Sequence, residues 1–315
     1  MTFPTASRIL AAAALAALGT TATAESYTAS NWLPATYPQS VHGYTEMFER
    51  VREKTNGEID FQIHHGGALL PPRTTLTGIR DGVADVGLLF AGYTPAELPV
   101  NVFINNLGFL ASDPLAATLA AAELNYINQT VIDEWAKFDV VYGGGHQTPL
   151  YQALCNTPVL TLEDARGKRL RTAGGSATAL AASLEATAVS VPIVDAYSGM
   201  QRGSLDCVLA DPTNMINASL NEVVTDVTIL DLGLAGGPTW GYNKDFWNGL
   251  TDDQRALLID EMALGMVRTQ AQFASDTDKA WDDAADRGIT IHQPNADLGD
   301  HVAAFKAAYI GELIA

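Results

Sequence analysis

The chain has 315 residues, 18 of them basic and 36 acidic, for a net charge of −18, and 47% of its residues are hydrophobic. That balance excludes a general affinity for nucleic acid or an anionic membrane surface, both of which need a basic face. It leaves room for a local positive pocket built from a few arginines, and for a sizeable apolar core.

In chain order, the first predicted element is a targeting signal. Arg8 precedes an apolar run from Ile9 to Leu18, and Ala22-Thr23-Ala24 follows as a small-x-small cleavage site. The mature protein is expected to begin at Glu25, after cleavage at Ala24. The apolar run is too short to span a bilayer, and no cysteine follows it to carry a lipid anchor. Roughly 290 residues then remain, enough for one large or two medium domains.

Glu25 to Asn31 reads as a strand and Trp32 to Pro38 as a loop. Val41 to Thr55 is helical in pattern, with Met47, Val51 and Lys54 on one face and Gly57 as the stop. A strand from Ile59 to His64, a helix from Arg73 to Asp81 and a buried strand from Ala84 to Phe90 follow. That alternation implies parallel strands with helices on both faces. The segment Gly78-Ile79-Arg80-Asp81-Gly82-Val83-Ala84-Asp85 has an echo in Gly199-Met200-Gln201-Arg202-Gly203-Ser204-Leu205-Asp206. Both glycines and the aspartate keep their spacing, and each copy precedes an apolar strand. Two units built alike are therefore expected, the second starting near Thr148. Its strands are Val189 to Ile193 and Cys207 to Ala210. Thr251-Asp252-Asp253-Gln254 is a capping box. It opens a long helix carrying Leu258, Met262, Met266 and Phe273, which Gly288 ends before a strand from Ile289 to His292.

Several motifs invite chemistry and fall short of it. His64 and His65, adjacent on a strand, point to opposite faces, and neither HExxH nor a paired CxxC is present. Gly174-Gly175-Ser176 and Gly203-Ser204 lack the GxSxG elbow. Gly143-Gly144-Gly145-His146 is either an anion-binding nest or a strand-to-strand crossing. No catalytic residue, cofactor or metal site is predicted. Cys155 and Cys207 either pair or remain free thiols; an exported chain meets an oxidising compartment, which favours the disulfide.

The richest segment is Gly167-Lys168-Arg169-Leu170-Arg171-Thr172-Ala173-Gly174-Gly175, a short strand entering a glycine-bearing turn and a helix. Arg169 and Arg171 leave the strand on the same side. A guanidinium at a strand end suits a carboxylate, which its planar fork grips bidentately. Asn31 and Trp32 end the first strand, and Phe90 and Tyr93 follow the third. Trp240 and Tyr242 precede the last helices, and Asn214 follows the strand that ends at Asp211. In doubly wound folds ligands lie beyond the carboxyl ends of strands, where these residues stand. Gln147 is a further candidate polar contact.

In this order the motifs resemble the periplasmic solute-binding component of tripartite ATP-independent periplasmic (TRAP) transporters, of the C4-dicarboxylate-binding type. The resemblance rests on Phe48 through Gly57, Gly66-Gly67-Ala68-Leu69, Gly82-Val83-Ala84-Asp85, Asp164 through Thr172, Tyr197 through Cys207, and Asn243-Lys244-Asp245-Phe246-Trp247. It implies two doubly wound α/β domains of the type II periplasmic-binding-protein kind. They would be joined by a hinge of crossing strands and a long helix. The expected bounds are 25–147 with about 238–280, and 148–237 with about 281–315, with the ligand between them.

By the same resemblance, Arg171 clamps a ligand carboxylate and Asn214 assists, while Asn31, Trp32, Phe90, Tyr93, Gln147 and Trp240 shape the pocket. Arg169 stands where lysine is usual and is read as structural. Some members pair cysteines at the positions of Cys155 and Cys207. Glu185 departs from the pattern, which usually has glycine there, and the loop with Trp32, Pro34 and Pro38 is of a kind that varies with ligand. The implied function is periplasmic capture of a small organic acid, without catalysis, and delivery to the TRAP membrane subunits. An aromatic or hydrophobic acid is placed ahead of a short dicarboxylate, with sulfonates admitted. The protein is expected to be a monomer with no nucleic-acid partner. The alternatives are a ligand sensor for a membrane kinase and an exported enzyme acting on an acidic substrate.

Overall fold

A computed structural model describes residues 25–314; the predicted signal segment, with its cleavage after Ala24, lies outside the described residues. The strands are β1 (Glu25–Ser30), β2 (Ile59–His64), β3 (Val86–Leu89), β4 (Val140–Leu150), β5 (Gln152–Cys155), β6 (Arg169–Thr172), β7 (Thr187–Ser190), β8 (Cys207–Ala210), β9 (Asp226–Thr228), β10 (Leu234–Asn243) and β11 (Thr290–His292). They form a five-stranded sheet of order β2-β1-β3-β10-β4 and a six-stranded sheet of order β11-β9-β5-β8-β6-β7.

The two sheets are built alike. Taken from its far edge, the second runs β7-β6-β8-β5-β9, with β11 added outside. Strand senses match position by position. β1 is parallel to β2 and β3, as β6 is to β7 and β8. β10 runs antiparallel to β3 and β4, as β5 does to β8 and β9.

The sequence echo falls at matching places in this plan. Gly82 and Gly203 both take positive φ, +74° and +65°. Around each, two helix-ending hydrogen bonds recur: Gly82 N to Ile79 O and Val83 N to Gly78 O, then Gly203 N to Met200 O and Ser204 N to Gly199 O. These are the carbonyls that a helix end leaves unpaired. The aspartates match as well. Asp85 accepts from Thr28 N at 2.7 Å and Asp206 from Arg169 N at 2.8 Å. Each thereby pins the entry of its strand to the neighbouring parallel strand.

The polypeptide passes between the sheets three times: from β4 to β5 through Tyr151, from β9 to β10, and along the helix Asp252–Asp286 to β11. That helix begins at the predicted capping box, with Thr251 and Gln254 bonding each other's backbone N–H. Leu258, Met262, Met266 and Phe273 are buried along it.

Some elements differ from expectation for identifiable reasons. The first helical run starts at Pro38, not Val41, because proline suits the first helical position, and it widens into a π-turn over Val41–Thr45. Met47 and Val51 are buried as predicted, but Lys54 is 57% exposed and turns to Glu261 on the long helix. The strand expected to reach Ile193 stops at Ser190, since Pro192 has no N–H for a ladder. The glycine run is no anion nest. Gly144 and Gly145 lie opposite Trp240 and Thr239 of β10. A Cβ at Gly143 would stand 2.5 Å from the Tyr242 ring, and one at Gly144 2.5 Å from Met262. The run lets β4 press against β10 and the long helix.

Cys155 and Cys207 face each other across β5 and β8 and form a disulfide. With 52 residues of separation, the double variant Cys155→Ser/Cys207→Ser should lose about 4 kcal/mol of stability in denaturant titration. The unreduced protein should take up no alkylating reagent; two alkylated thiols would refute the bond. Glu185 occupies the position past a helix end at φ +53°, and Ala186 N bonds Ala181 O as such an end requires. A side chain there is strained, which explains the glycine of the family pattern. Glu185→Gly should therefore stabilise the fold by about 0.5–1 kcal/mol, read as a higher denaturation midpoint.

Candidate ligand-binding site

The carboxyl ends of β1, β3, β6 and β8 converge on one cavity, bringing residues of both sheets together. The space open to the centres of water-sized spheres is about 50 Å³, room for a few waters or a compact ligand.

Arg171, at the third residue of β6, reaches into this cavity and is 1% exposed. Nε donates to Val191 O at 3.0 Å, Nη1 to Leu209 O at 3.2 Å and Nη2 to the Tyr93 hydroxyl at 3.1 Å. These bonds use one N–H of each terminal nitrogen, and the Tyr151 hydroxyl also interacts with the guanidinium; a carboxylate suits the N–H capacity that is left. Among the described residues no carboxylate lies within 4.0 Å of its nitrogens. A buried charge without an anion is costly, so an anion entering the cavity would offset that cost.

Asp211, directly after β8, also lines the cavity and is 2% exposed. Oδ1 accepts from Thr213 N at 3.1 Å and from the Thr213 hydroxyl, and Oδ2 accepts from Asn214 Nδ2 at 2.7 Å. Burial outweighs these bonds and holds the carboxyl up at about 6. Asn214 is thus tied to Asp211 while it lines the same space.

Aromatic rings close the other side. Trp32 and Phe90 meet the Tyr93 ring edge-on at centroid distances of 5.7 and 4.7 Å. Tyr93 also bridges the halves, since its hydroxyl accepts from Ile193 N at 3.0 Å as well as from Arg171. Arg73 makes a second bridge, donating to Tyr93 O at 3.0 Å and Ser190 O at 2.9 Å. Tyr37 and Tyr151 complete the wall. Burial pushes the Tyr151 phenol up to about 12, with the Arg171 charge pulling it down.

Of the residues expected here from sequence, the structure brings together Arg171, Asn214, Trp32, Phe90 and Tyr93. Three others stand elsewhere. Asn31 is spent on Ser40, His65 and Leu33 N, so it braces the segment behind the cavity. Gln147 faces the helix Pro114–Ile127, where its backbone N–H meets Thr118. Trp240 is fully buried against Tyr44 and His146. Arg169 bonds Asp206 and does not line the cavity. Sequence reasoning missed Asp211, Tyr37, Gln39, Thr148, Tyr151, Thr213 and Phe273. Asp211 had one available signal: it follows β8 where Phe90 follows β3 in the matching half.

The profile of the bacterial extracellular solute-binding protein family 7 matches residues 30–310. The chain belongs to that family. A solute-binding protein of Albidiferax ferrireducens is 25% identical over 66% of this chain and 62% of its own length. The C4-dicarboxylate-binding periplasmic protein DctP of Rhodobacter capsulatus is 30% identical over 45% of this chain and 43% of its own. The chain thus spans about two fifths to three fifths of these relatives. Among solved structures, DctP7 of Bordetella pertussis, an extracytoplasmic solute receptor binding pyroglutamic acid, superposes with a TM-score of 0.81 at 19% identity, covering 92% of this chain and 94% of that one. A TRAP periplasmic solute-binding protein of Bordetella bronchiseptica with bound (R)- and (S)-mandelate gives 0.81 at 19% identity, over 92% and 91%. The family fold is the two-domain α/β architecture described above. Among the described residues no helix is long and apolar enough to cross a membrane.

The Asp211 carboxyl gives the site a pH signature. In the unfolded chain an aspartate releases its proton near 3.8, whereas the folded protein keeps it to about 6. Between those values the folded state binds the extra proton, so this group's stability contribution falls as pH rises through that window. Ligand-free protein should lose up to roughly 3 kcal/mol in this way between pH 4 and pH 7. In Asp211→Asn that fall should vanish, as read by denaturant titration at both pH values.

Proposed function

We propose that the protein is a periplasmic receptor that captures a compact monocarboxylate between its two halves and hands it to TRAP membrane subunits, leaving it chemically unchanged. The observation that carries this reading is the buried guanidinium of Arg171, held by two backbone carbonyls and a phenol and without a carboxylate partner among the described residues. Family membership supports the receptor role and the absence of catalysis.

The lining also argues for one carboxylate and not two. Arg171 is the only cationic residue among the described lining residues, and Asp211 is anionic above pH 6. A second ligand carboxylate would meet like charge or no partner, which is strongly unfavourable in a buried site. A ligand N–H or O–H would instead find an acceptor in Asp211. Pyroglutamate and mandelate, bound by structural relatives, each join one carboxylate to such a donor. The name of the Rhodobacter relative points to a C4-dicarboxylate, and this lining points away from one.

The halves 25–147 with about 238–280, and 148–237 with about 281–315, would move about the three crossings. Ligand favours the closed form because only there does it touch both halves. The Tyr93 and Arg73 bridges are contacts of that closed form.

Thermal-shift screening should find stabilisation by hydroxy, amido or lactam monocarboxylates and little by succinate. Arg171→Ala should abolish it, and Arg171→Lys should weaken binding at least tenfold, because a point charge cannot replace the fork. Unchanged binding in Arg171→Ala would sink the anchor. Affinity should strengthen as pH rises from 5 to 7, since ionised Asp211 is the better acceptor; a second ligand carboxylate would reverse that trend.

A further inference from the structure

Gln39 lines the cavity from the segment between β1 and β2, the opposite half of the molecule from Arg171. It is 5% exposed. Its Nε2 lies 3.0 Å from Nε2 of His146, and its Oε1 is buried without a hydrogen-bond partner. A buried amide oxygen without a partner is costly unless something else supplies the donor.

His146 is placed to hold that amide. It belongs to β4, is 2% exposed, and lies between the rings of Trp240 and Phe273 at 5.6 and 5.7 Å. Burial pushes its pKa down to about 3, so the imidazole is neutral and its Nε2 accepts from Gln39. With one amide N–H bonded to the imidazole, Oε1 is the amide oxygen left without a partner. Around this pair the fold is unusual. The π-turn Val41–Thr45 begins two residues after Gln39, and such turns concentrate at functional sites. Asn31 fixes the adjacent Ser40 by a 2.7 Å hydrogen bond.

From these observations we infer that Gln39, positioned by His146, is a specificity-determining residue whose Oε1 accepts a hydrogen bond from an uncharged O–H or N–H of the ligand. This rests on the monocarboxylate reading of the Arg171 site. It makes the cavity three-part: a cation for the carboxylate, Asp211 on one donor, and a neutral amide on a donor group reached from the other half.

The test uses two probe pairs that differ by a donor: (S)-mandelate with phenylacetate, and pyroglutamate with 3-oxocyclopentanecarboxylate. Affinities come from calorimetry on the mature protein. The wild type should prefer the donor-bearing member of at least one pair by tenfold or more. Gln39→Met, similar in volume, should cut that preference to threefold or less while changing affinity for the donor-free acid little. Gln39→Glu keeps an acceptor and should retain the preference at lower overall affinity. His146→Leu should reduce the preference ratio, which a merely structural role would leave unchanged while lowering the melting temperature. A full preference in Gln39→Met, lost only in Asp211→Asn, would overturn the inference and leave the Arg171 anchor standing. Retained binding of all four acids in Arg171→Ala, or no binding of any by the wild type, would overturn the monocarboxylate reading and this inference with it.

Discussion

The rest of the structure depends on one buried guanidinium. Arg171 lies at a strand end, almost wholly out of water, with backbone carbonyls and a phenol as its partners but no carboxylate. A hydrogen-bonded buried cation is tolerable, but it stays poorly compensated until an anion arrives. Its two carbonyl partners, Val191 and Leu209, come from the segment after β7 and from β8, so three adjacent chain segments fix the head group. The same arrangement pre-orients the fork. On the proposed reading, a ligand carboxylate would replace water and find the donors in place, and less binding energy would be lost to ordering the site.

The doubled plan of the fold explains why contacts from both halves can meet around that charge. In each half the Gly-x-x-x-Gly turn and its aspartate fix where a central strand begins, and hence where it ends. Asp85 and Asp206 make the same bond to the neighbouring strand, to Thr28 and Arg169. What differs is the residue that follows each strand: Phe90 after β3 and Asp211 after β8. The scaffold is duplicated and the chemistry is divided, with the aromatic wall on one half and the charged groups on the other. The disulfide joins β5 to β8, so it steadies the strand whose end carries Asp211 next to the crossing from β4 to β5.

Much of this was legible in the sequence. The repeated glycine–aspartate spacing, the capping box of the long helix and the Arg171 segment are local patterns, and local patterns survive in one dimension. The fold followed from these patterns taken in order, and the resemblance they carry is what singled out Arg171 from Arg169 as the expected anchor. What remained hidden depends on which face a side chain takes. Trp240 was expected at the site as a residue near a strand end and Gln147 as a further polar contact, but a one-residue change of register turns a side chain to the other face, and β4 and β10 shift register between these positions. Asn31 was placed at the right strand end, yet its short amide is consumed by its neighbours. Asp211 and Gln39 carry no motif. Their significance is burial, a property of the folded chain, and in Asp211 an ordinary surface-type residue is made unusual only by the loss of water.

The overall charge sharpens the meaning of that burial. A protein of net charge −18 repels anions at long range, but at physiological ionic strength this repulsion fades over about 8 Å. Beyond that distance the protein offers an organic anion no attraction, so selection falls to contacts inside the cleft. There the balance is finely set. On the proposed reading one positive charge would admit one carboxylate, and Asp211, with its pKa raised to about 6, carries a charge through most of the neutral range without an ion-pair partner among the described residues. Asp211 penalises a second negative group, while the neutral Gln39–His146 pair offers it no compensation. An acid with one carboxylate and hydrogen-bond donors satisfies all three at once. On this reading, discrimination among acids would follow as much from the groups that reject as from the arginine that attracts.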